Sequence, residues 1–558
     1  MGTLPWVATA CGDDEGKAPA QVEETFPATD AKAADLIVTG GEVVTLDPEM
    51  PRVEAVAIKD GVFIARGRAG DIDRLRGSKT HVLDLGGGVA VPGLTDAHAH
   101  LAGLGDHLAT VDLRGAASVD EVVARLKEGA PAQGWVLGRG WDQNLWPDAT
   151  MPTHEALSQA FPDRPVWLRR VDGHAGWANA KVMELSGINP ESIDPEGGEF
   201  LRDEEGRPTG VLIDQAMDVV AVPAPSEAER RRRLLAAQDH VLERGLVGVH
   251  EMGVDPETDA LLRQLEKEGA LKLRVHGYAS ESWFQAELSG GEPPPAGDQD
   301  RYVLIGVKIY VDGALGSRGA ALLRPYADRP GHTGKLMHQL PYFEKLVSNA
   351  GDRGWQVAAH AIGDRGNRTI LDAYDRVEQR MRHKRLRNRI EHAQIVDPAD
   401  IQRFSKLRVI ASMQPTHATS DMGWVPDRLG PKRLEGAYAW QRFLKAGVRL
   451  PLGSDFPVEQ VDVTHGLYAA VTRADEGGKP EGGWLPDQRL SLDEAISGFS
   501  REAAYAVHKE ESLGRVDVGF RGDLTCFRRD LWTLEPAELR DAEILATVID
   551  GEVVHQAS

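Results

Sequence analysis

The sequence predicts an α/β protein: a TIM (β/α)8 barrel with a large insertion after strand 1, plus a small β-sandwich built from both chain ends. Three observations support this fold class. Eight short apolar segments alternate with helical stretches in the middle of the chain, and eight parallel strands close such a barrel. Strand-like segments with period-two alternation lie near both termini. An excess of about 130 residues separates the first two apolar segments, far more than a strand–helix connection requires.

The two chain ends carry the predicted sandwich. Residues 35–91 contain short alternating segments between Gly and Asp turns, for example Leu36–Val38 and Ala55–Ile58. The pattern returns in residues 510–558, at Asp523–Phe527 and Ile544–Val554. Such alternation between turn residues is typical of a small antiparallel β unit. Half a sheet at each end indicates that both ends meet in one domain.

The middle of the chain, residues 92–509, is the predicted barrel. Its strands are expected at Val89–Ala97, Leu246–Glu251, Leu271–Tyr278, Val303–Asp312, Trp355–His360, Arg389–Glu391, Arg408–Met413 and Arg449–Ser454. Between the first two strands, residues 104–236 are rich in Trp, Pro and Gly and have strand-like pieces of their own. We expect this insertion to lie over the mouth of the barrel.

Composition excludes several classes of protein. The 558 residues include 64 Lys and Arg against 86 Asp and Glu, and the net charge of −22 argues against a nucleic-acid or anionic-membrane surface. No apolar run is long enough to cross a bilayer. Two cysteines, Cys11 and Cys526, are too few for a disulfide framework or a Cys-based zinc cluster. The 18 histidines are therefore where chemistry is expected.

The first 34 residues have two interpretations. Small residues precede Cys11, and an acidic stretch rich in Ala, Pro and Glu follows it, which resembles a bacterial lipoprotein leader and tether. The segment lacks a basic start and has a very short apolar stretch, as a disordered tail would. A lipidated Cys11 predicts membrane anchoring in the bacterial cell envelope, whereas an unmodified tail predicts a cytoplasmic protein.

Side chains suited to metal binding follow the predicted strands at their C-terminal ends, where barrel enzymes place their sites. His98 and His100 form a His-Ala-His motif after the first strand, and residues i and i+2 face the same side. Four further candidates lie at strands four, five, six and eight, namely Lys308, His360, His392 and Asp455. Each alone has an ordinary structural explanation, but their joint placement indicates one metal site.

These motifs resemble the amidohydrolase superfamily, and within it the YtcJ-like group that includes N-substituted formamide deformylases. The resemblance covers residues 35–554. It rests on the segments Val91–His100, His360–Asp364, Glu391–Gln394 and Gly453–Pro457, on the strand around Lys308, and on the subgroup motifs Trp141–Asn144, Asp172–Asn179 and Asp312–Arg318.

The resemblance implies a site for two divalent metal ions, expected to be Zn²⁺. His98, His100 and Asp455 would hold the deeper ion, and His360 and His392 the outer one. Lys308, carboxylated by CO₂, would bridge both ions. Burial lowers the pKa of a lysine, and a neutral amine is the form that captures CO₂. Asp455 would also be catalytic, by passing a proton from the attacking water to the leaving nitrogen.

Four further residues are candidates for contact with the substrate. His174, on the insertion, is a predicted catalytic donor to the substrate carbonyl or to the tetrahedral oxyanion, or else a turn residue. Asp312 and Arg318 follow Lys308 and are expected to position substrate, or else to brace their loop by an ion pair. Trp141 is expected to line an aromatic pocket, or else to pack the insertion.

The predicted function is hydrolysis of a non-peptide C–N bond, of the amide or formamide type, by a metal-activated water. The partner is a small-molecule amide-type substrate, with no nucleic acid, and a homodimer is left open. One alternative is a deaminase of the same superfamily that uses one metal ion, which Lys308 disfavours. The other is a surface-anchored binding protein that has lost catalysis, which the full set of candidate ligands disfavours.

Overall fold

The structure, a computed structural model, describes residues 33–171, 174–195, 197–295, 297, 300–381 and 386–558. Cys11 and nearly all of the predicted leader or tail lie outside these residues, so lipidation stays a prediction. Asp172 and Gly173 of the Asp-Gly-His motif lie outside them as well. In the part of the chain that is described, no helix is both long and apolar enough to cross a bilayer.

The strands and helices of the described residues are numbered in chain order. The strands are β1 (Leu36–Thr39), β2 (Glu42–Val44), β3 (Arg52–Val53), β4 (Ala55–Lys59), β5 (Val62–Gly67), β6 (His81–Asp84), β7 (Val89–Pro92), β8 (Leu94–Ala99), β9 (Val111–Asp112), β10 (Val136–Trp141), β11 (Val166–Arg170), β12 (Ala175–Ala178), β13 (Gly198–Arg202), β14 (Pro208–Asp214), β15 (Leu246–Val254), β16 (Arg274–Ser280), β17 (Tyr302–Tyr310), β18 (Gln356–Ala361), β19 (Arg389–His392), β20 (Ile410–Ser412), β21 (Leu524–Phe527), β22 (Ile544–Ile549) and β23 (Glu552–Gln556). The α-helices are α1 (Ala69–Asp73), α2 (Leu101–Leu108), α3 (Val119–Gly129), α4 (Glu155–Ala160), α5 (Ala180–Leu185), α6 (Glu227–Glu243), α7 (Pro256–Lys267), α8 (Glu281–Trp283), α9 (Leu340–Asp352), α10 (Asp364–Met381), α11 (Pro398–Leu407), α12 (Pro415–Asp421), α13 (Val425–Leu429), α14 (Trp440–Lys445), α15 (Val463–Thr472), α16 (Leu492–Gly498) and α17 (Arg501–Ala506).

Seven parallel strands form a nearly closed barrel, in the order β20-β19-β18-β17-β16-β15-β8. The segment around Leu452 lies between the two edge strands. The amide of Ala97 in β8 donates to the Leu452 carbonyl at 3.0 Å, and the amide of Gly453 donates to the Met413 carbonyl, just after β20, at 3.1 Å. This segment therefore occupies the position predicted for the eighth strand, and the α/β barrel is confirmed.

The barrel strands are buried because helices cover their outer faces. α9 shows how: it buries Phe343, Leu346, Val347 and Ala350, the i, i+3, i+4, i+7 spacing that makes one apolar stripe. The strand beside it, β18, is buried at almost every position, as expected of a parallel strand covered on both faces. Polar side chains in these strands therefore stand out as candidates for chemistry.

The predicted first strand, Val89–Ala97, is wrong as a single strand. The structure divides it into β7, which pairs with β2 and β21 of a terminal sheet, and β8, which pairs with β15 of the barrel. Pro92 has no amide hydrogen for a ladder, and the amide of Gly93 donates instead to the Asp523 carbonyl at 2.9 Å. The chain thus passes from one sheet to the other at Pro92-Gly93.

Both chain ends contribute to one six-stranded sheet, in the order β23-β22-β21-β7-β2-β3, which lies beside a four-stranded sheet, β5-β4-β1-β6. Apolar side chains of both sheets share one buried cluster that includes Leu36, Val56, Leu524 and Val548. The sheets are mixed rather than purely antiparallel, because β1 pairs with β6 and β2 pairs with β7 in parallel. The exact domain limits at residues 91 and 510 stay a prediction.

The segment between β8 and β15 forms a sheet of its own, in the order β13-β14-β12-β11-β10-β9. Its core contains Trp141, Trp146 and Trp177, whose ring centroids lie 5.8 to 6.1 Å apart. Large rings supply much buried apolar area in a small unit. That this insertion covers the mouth of the barrel stays a prediction.

Candidate metal centre

The His-Ala-His motif lies at the exit of β8. His98 is in the strand and is buried, whereas His100 immediately precedes α2 and is partly exposed. The Glu251 carboxylate, from β15, accepts hydrogen bonds from the amides of Leu101 and Ala102 at the start of α2. Burial raises the pKa of Glu251 to about 7. This carboxylate ties the first turn of α2 to the barrel, and so fixes the direction in which the chain leaves the motif.

Asp96 joins β8 to the eighth barrel segment. Its carboxylate accepts the amide of His98 at 3.0 Å, the amide of Ser454 at 3.0 Å and the Ser454 hydroxyl at 2.6 Å. The amide of Asp455 then donates to the His98 carbonyl at 2.8 Å. Two candidate ligands that are far apart in the sequence are therefore held side by side by backbone contacts.

The Asp455 carboxylate lies at the centre of the site. Its Oδ1 is 3.1 Å from Nε2 of His100 and 3.4 Å from Nε2 of His98, and Nζ of Lys308 is 3.3 Å from the same nitrogen of His98. The His98, His100 and Asp455 donor atoms lie within 4.8 Å of one another, close enough to hold one ion. The structure therefore brings together the side chains predicted for the deeper metal.

His360 and His392 extend the cluster along the strand ends. The His392 ring centroid is 4.7 Å from that of His98 and 4.6 Å from that of His360. Nε2 of His360 is buried without a hydrogen-bond partner among the described residues. Such an unpaired nitrogen is expected where an imidazole binds a metal ion. These two imidazoles are thus placed to form an outer position.

Two candidate ligands have a strained backbone. φ is +73° at His392 and +65° at Asp455, in the left-handed region that residues other than Gly rarely adopt. Such a conformation costs on the order of 1–3 kcal/mol and is concentrated at functional sites. His392 is the last residue of β19, and Asp455 follows the eighth barrel segment. The backbone turns sharply at each of them, and this turn sets the direction of the side chain.

Burial keeps most of these groups in the protonation state that binds metal. It lowers the pKa of His98 to about 4 and of His360 to about 3, with Lys308 adding to both shifts, so both imidazoles are neutral. Burial lowers the pKa of Lys308 to about 8. It would raise the pKa of Asp455, but the nearby imidazoles of His98 and His100 hold it below its ordinary value.

His100 differs from the other imidazoles. Burial alone would lower its pKa, but the Asp455 carboxylate 3.1 Å away raises the pKa above the ordinary value. The Asp455 carboxylate therefore attracts positive charge to this side of the site, and a metal cation would replace the proton there.

A buried ion pair fixes the orientation of His98. The Glu391 carboxylate accepts from Nδ1 of His98 at 2.6 Å, and Nε of Arg389 donates to the same carboxylate at 2.5 Å. Burial raises the pKa of Glu391, but Arg389 and His98 more than offset this and hold it well below the usual range. Glu391 therefore stays ionised, Nδ1 of His98 keeps its proton, and Nε2 presents a lone pair to the site.

His417, in α12, also faces this cluster, although the sequence pattern did not predict it as a site residue. Its Nε2 is 3.7 Å from Oδ2 of Asp455, and its donor atom groups with those of His392 and Asp455 within 4.8 Å. His417 follows the seventh strand of the barrel, the only strand end after the third for which no candidate had been named. The missing candidate at this strand end was the available signal, but four residues separate β20 from His417, so His417 did not stand out as a strand-end residue.

Asp312 and Arg318 lie in the connection after β17 and make structural contacts. The Asp312 carboxylate accepts the amides of Ile362 at 2.9 Å and of Gly363 and Ala321 at 2.8 Å each, and burial raises its pKa to about 7. Arg318 is paired with Asp328, 2.8 Å away. These contacts match the loop-bracing alternative, although Asp312 braces by backbone hydrogen bonds and Arg318 pairs with another partner. Their contact with substrate stays a prediction.

The two candidates on the insertion contact other residues of the insertion. Trp141 is fully buried and its indole donates to the Leu168 carbonyl at 3.2 Å, so it packs the insertion, and its contact with substrate stays a prediction. The His174 side chain is 77% exposed, with Nδ1 at 2.7 Å from Asp214. A role of His174 toward the substrate stays a prediction.

The chain is similar to known proteins over most of its length. The Amidohydrolase family matches residues 81–555. The putative amidohydrolase YtcJ of Bacillus subtilis (strain 168) is 33% identical over 93% of this chain and 99% of its own. The N-substituted formamide deformylase of Arthrobacter pascens is 27% identical, over 93% of this chain and 97% of its own.

Solved structures show the same architecture. An uncharacterized metal-dependent hydrolase from Pyrococcus furiosus superposes with a TM-score of 0.74 at 28% identity, covering 90% of this chain and 99% of its own. The similarity thus extends over most of the chain.

Proposed function

We propose, from the premise that the chain belongs to the amidohydrolase family, that it hydrolyses a non-peptide C–N bond of the amide or formamide type. One observation carries the proposal: His98, His100 and Asp455 converge within 4.8 Å at the mouth of the barrel. The name of the Arthrobacter pascens relative, at 27% identity over nearly its whole length, favours formamides among the amides.

The site's donors fit divalent metal, and we assign two Zn²⁺ ions to it. Neutral imidazoles and a carboxylate suit zinc. His98, His100 and Asp455 would hold the deeper ion, and His360 and His392 the outer one. When bound, such a pair of ions lowers the pKa of water and polarises a carbonyl group.

Lys308 would supply an anionic bridge between the two positions. Its Nζ lies 3.3 Å from Nε2 of His98, buried on β17 with no acidic side chain of its own segment beside it. With a pKa of about 8, a usable fraction of the amine is neutral near pH 7. The neutral amine attacks CO₂, forms an N–C bond and releases one proton, which leaves a carbamate with two oxygens.

Asp455 would move the proton. Its carboxylate is ionised and faces His98, His100 and His417, so it can accept a proton from the attacking water. The same oxygen would then give the proton to the leaving nitrogen as the C–N bond breaks. This return of the proton completes hydrolysis to an amine and a carboxylic acid, or formic acid in the case of a formamide.

A panel of compounds tests the proposal. The zinc-loaded protein is assayed for release of amine from formanilide, N-acetyl amino acids, cyclic amides and carbamates, and for hydrolysis of p-nitrophenyl acetate as an ester. Zinc content is measured on the same sample. We expect turnover of at least one amide, two zinc ions per chain, and loss of activity in Lys308→Ala. One ion per chain together with deamination would favour the deaminase, and no turnover with metal bound would favour the binding protein.

A further inference from the structure

Two neighbouring imidazoles, those of His392 and His417, have ring centroids 5.8 Å apart and are held in opposite tautomers. We infer that His417 is a catalytic hydrogen-bond donor that binds the oxyanion of the tetrahedral intermediate through Nε2, and that Gln394 sets its tautomer. The inference rests on the proposed hydrolytic function. By distance alone, His417 would be assigned as a third metal ligand of the outer position. The inference assigns it a different role.

His392 is set as an acceptor toward the site. Its Nδ1 is 2.8 Å from Oε1 of Gln414, and the amide nitrogen of the same side chain donates to the Ser412 carbonyl at 3.4 Å. A carbonyl oxygen only accepts, so Nδ1 of His392 carries the proton. Nε2 is left with a lone pair, the form in which an imidazole binds a metal ion.

His417 is set the other way. Its Nδ1 is 3.3 Å from Nε2 of Gln394, and an amide nitrogen only donates. Nδ1 of His417 therefore accepts, and the ring carries its proton on Nε2. A protonated Nε2 cannot bind a metal ion, so the hydrogen bond from Gln394 separates His417 from the ligands around it.

The Nε2–H group of His417 has no acceptor among the described protein atoms and can donate to a bound molecule. It is buried, it has no hydrogen-bond partner among the described residues, and the Asp455 carboxylate is too far, at 3.7 Å, for a hydrogen bond. Buried donors without partners are rare and need an explanation. The residue that would exchange the proton, Asp455, faces the same space, so a carbonyl attacked there lies within reach of both groups.

This position suits an oxyanion donor. Negative charge develops on the carbonyl oxygen as the tetrahedral intermediate forms, and a preorganised N–H group stabilises that charge more than the neutral carbonyl. Gln394 and Gln414 are both buried, so both tautomers are held by contacts that water does not compete for. Gln414 presents its amide oxygen to His392, which makes that imidazole a ligand. Gln394 presents its amide nitrogen to His417, which makes that imidazole a donor.

Four variants test the inference: His417→Phe, His417→Gln, Gln394→Met and the double variant of His417→Phe with Gln394→Met. Zinc content, kcat and KM for formanilide and for p-nitrophenyl acetate, and the affinity for methylphosphonate, a tetrahedral anion, are measured. We expect His417→Phe to keep both zinc ions, to lower kcat by about 10²-fold or more with little change in KM, and to weaken methylphosphonate binding. His417→Gln restores part of the rate because its amide supplies an N–H. Gln394→Met lowers kcat less, and has no further effect in the His417→Phe background.

Two comparison variants make the outcome specific. His392→Phe should lose zinc, which His417→Phe should not. Thr416→Val should leave all readouts unchanged, because the Thr416 hydroxyl has no hydrogen-bond partner among the described residues and so does not set the tautomer of either ring. Loss of a zinc ion in His417→Phe, or an unchanged kcat and methylphosphonate affinity, overturns the inference. If the unmodified protein hydrolyses nothing in the panel, the proposed function fails, while zinc content and methylphosphonate affinity still decide the role of His417.

Discussion

Oε2 of Glu391 lies 2.6 Å from Nδ1 of His98 in the interior of the barrel, although the two residues are 293 positions apart in the sequence. Arg389 holds the other side of that carboxylate and also donates to the Ala97 carbonyl at 2.6 Å, next to His98. The ligand, its carboxylate and the arginine thus form one buried unit. The geometry of the metal site depends on it as much as on the ligands themselves.

Glu391→Gln should weaken zinc binding. The amide accepts less strongly from Nδ1 of His98 and leaves Arg389 buried without its full counter-charge. We expect about 10- to 100-fold lower zinc affinity, measured by competition with a chelator, and a lower free energy of unfolding. Wild-type affinity would show that Glu391 does not orient the ligand.

Asp455→Asn should lower turnover by at least about 10²-fold while the protein stays folded. The amide cannot take a proton from water, although its oxygen can still face the neighbouring imidazoles. The measurement is kcat on a panel amide, with circular dichroism and zinc content as controls. Near-normal turnover would assign the proton transfer to another group.

Lys308→Ala should lose the outer zinc ion or most activity, because two cations then lack an anionic bridge. Added acetate or propionate should restore part of the activity by occupying the vacated space, and zinc loading of the unmodified protein should increase with bicarbonate. Unchanged zinc content and rate in the variant would remove the carbamate from the mechanism and favour the one-metal alternative.

Asp523→Asn should destabilise the contact between the barrel and the terminal sheet. Asp523 accepts from Nε of Arg274, in β16, at 2.6 Å, and both side chains are buried. We expect a loss in the free energy of unfolding, measured by denaturant titration, since the buried Arg274 keeps Asp550 but loses the charge of Asp523, one of its two carboxylate partners. Asp203→Asn, which alters an exposed pair with Arg207, is the control and should not shift the midpoint.

The ion pair of Asp523 with Arg274 also predicts how the free energy of unfolding changes with pH. Burial raises the pKa of Asp523, but Arg274 more than offsets this and the pKa is lower than in the unfolded chain. Its contribution to stability is therefore complete above the ordinary aspartate pKa near 4, and is lost as the pH falls through the lowered value. Between pH 5 and pH 2 the wild type should lose more stability than Asp523→Asn does. If the stabilities of the two proteins fell in parallel with pH, the pKa of Asp523 would not be lowered in the folded protein.

Deletion of residues 512–558 should give an insoluble or unfolded protein. It removes β21, β22 and β23, half of the strands in the shared six-stranded sheet, and exposes β7 at an edge. Deletion of residues 1–32 should leave solubility and activity intact. A soluble, active C-terminal truncation would contradict the shared domain.

The family and the catalytic class were predictable from the sequence. The prediction of a metal-dependent hydrolase of the amidohydrolase type is confirmed by the family match over residues 81–555. The predicted bounds of the strands around Lys308, His360 and His392 also lie within two residues of the observed bounds. Long apolar runs of parallel strands leave a strong signal, and polar residues at their C-terminal ends stand out against it.

Contacts between distant segments were not predictable in this way. The split of Val89–Ala97 into two strands depends on which sheet each half meets, and the burial of Trp141 depends on the packing of Trp146 and Trp177 around it. A run of apolar residues has the same pattern in either case, because hydrophobic periodicity reports that a residue is covered and not by what.

The sequence by itself determined the barrel and six of the side chains at its mouth, because strand periodicity and residue type are local properties. Only the tertiary structure decided what each imidazole can do. Glu391 and Gln414 accept from Nδ1 of His98 and His392, whereas Gln394 donates to Nδ1 of His417. A histidine side chain is the same group in all three places, and the partner of one ring nitrogen sets whether the other accepts a metal ion or donates a proton.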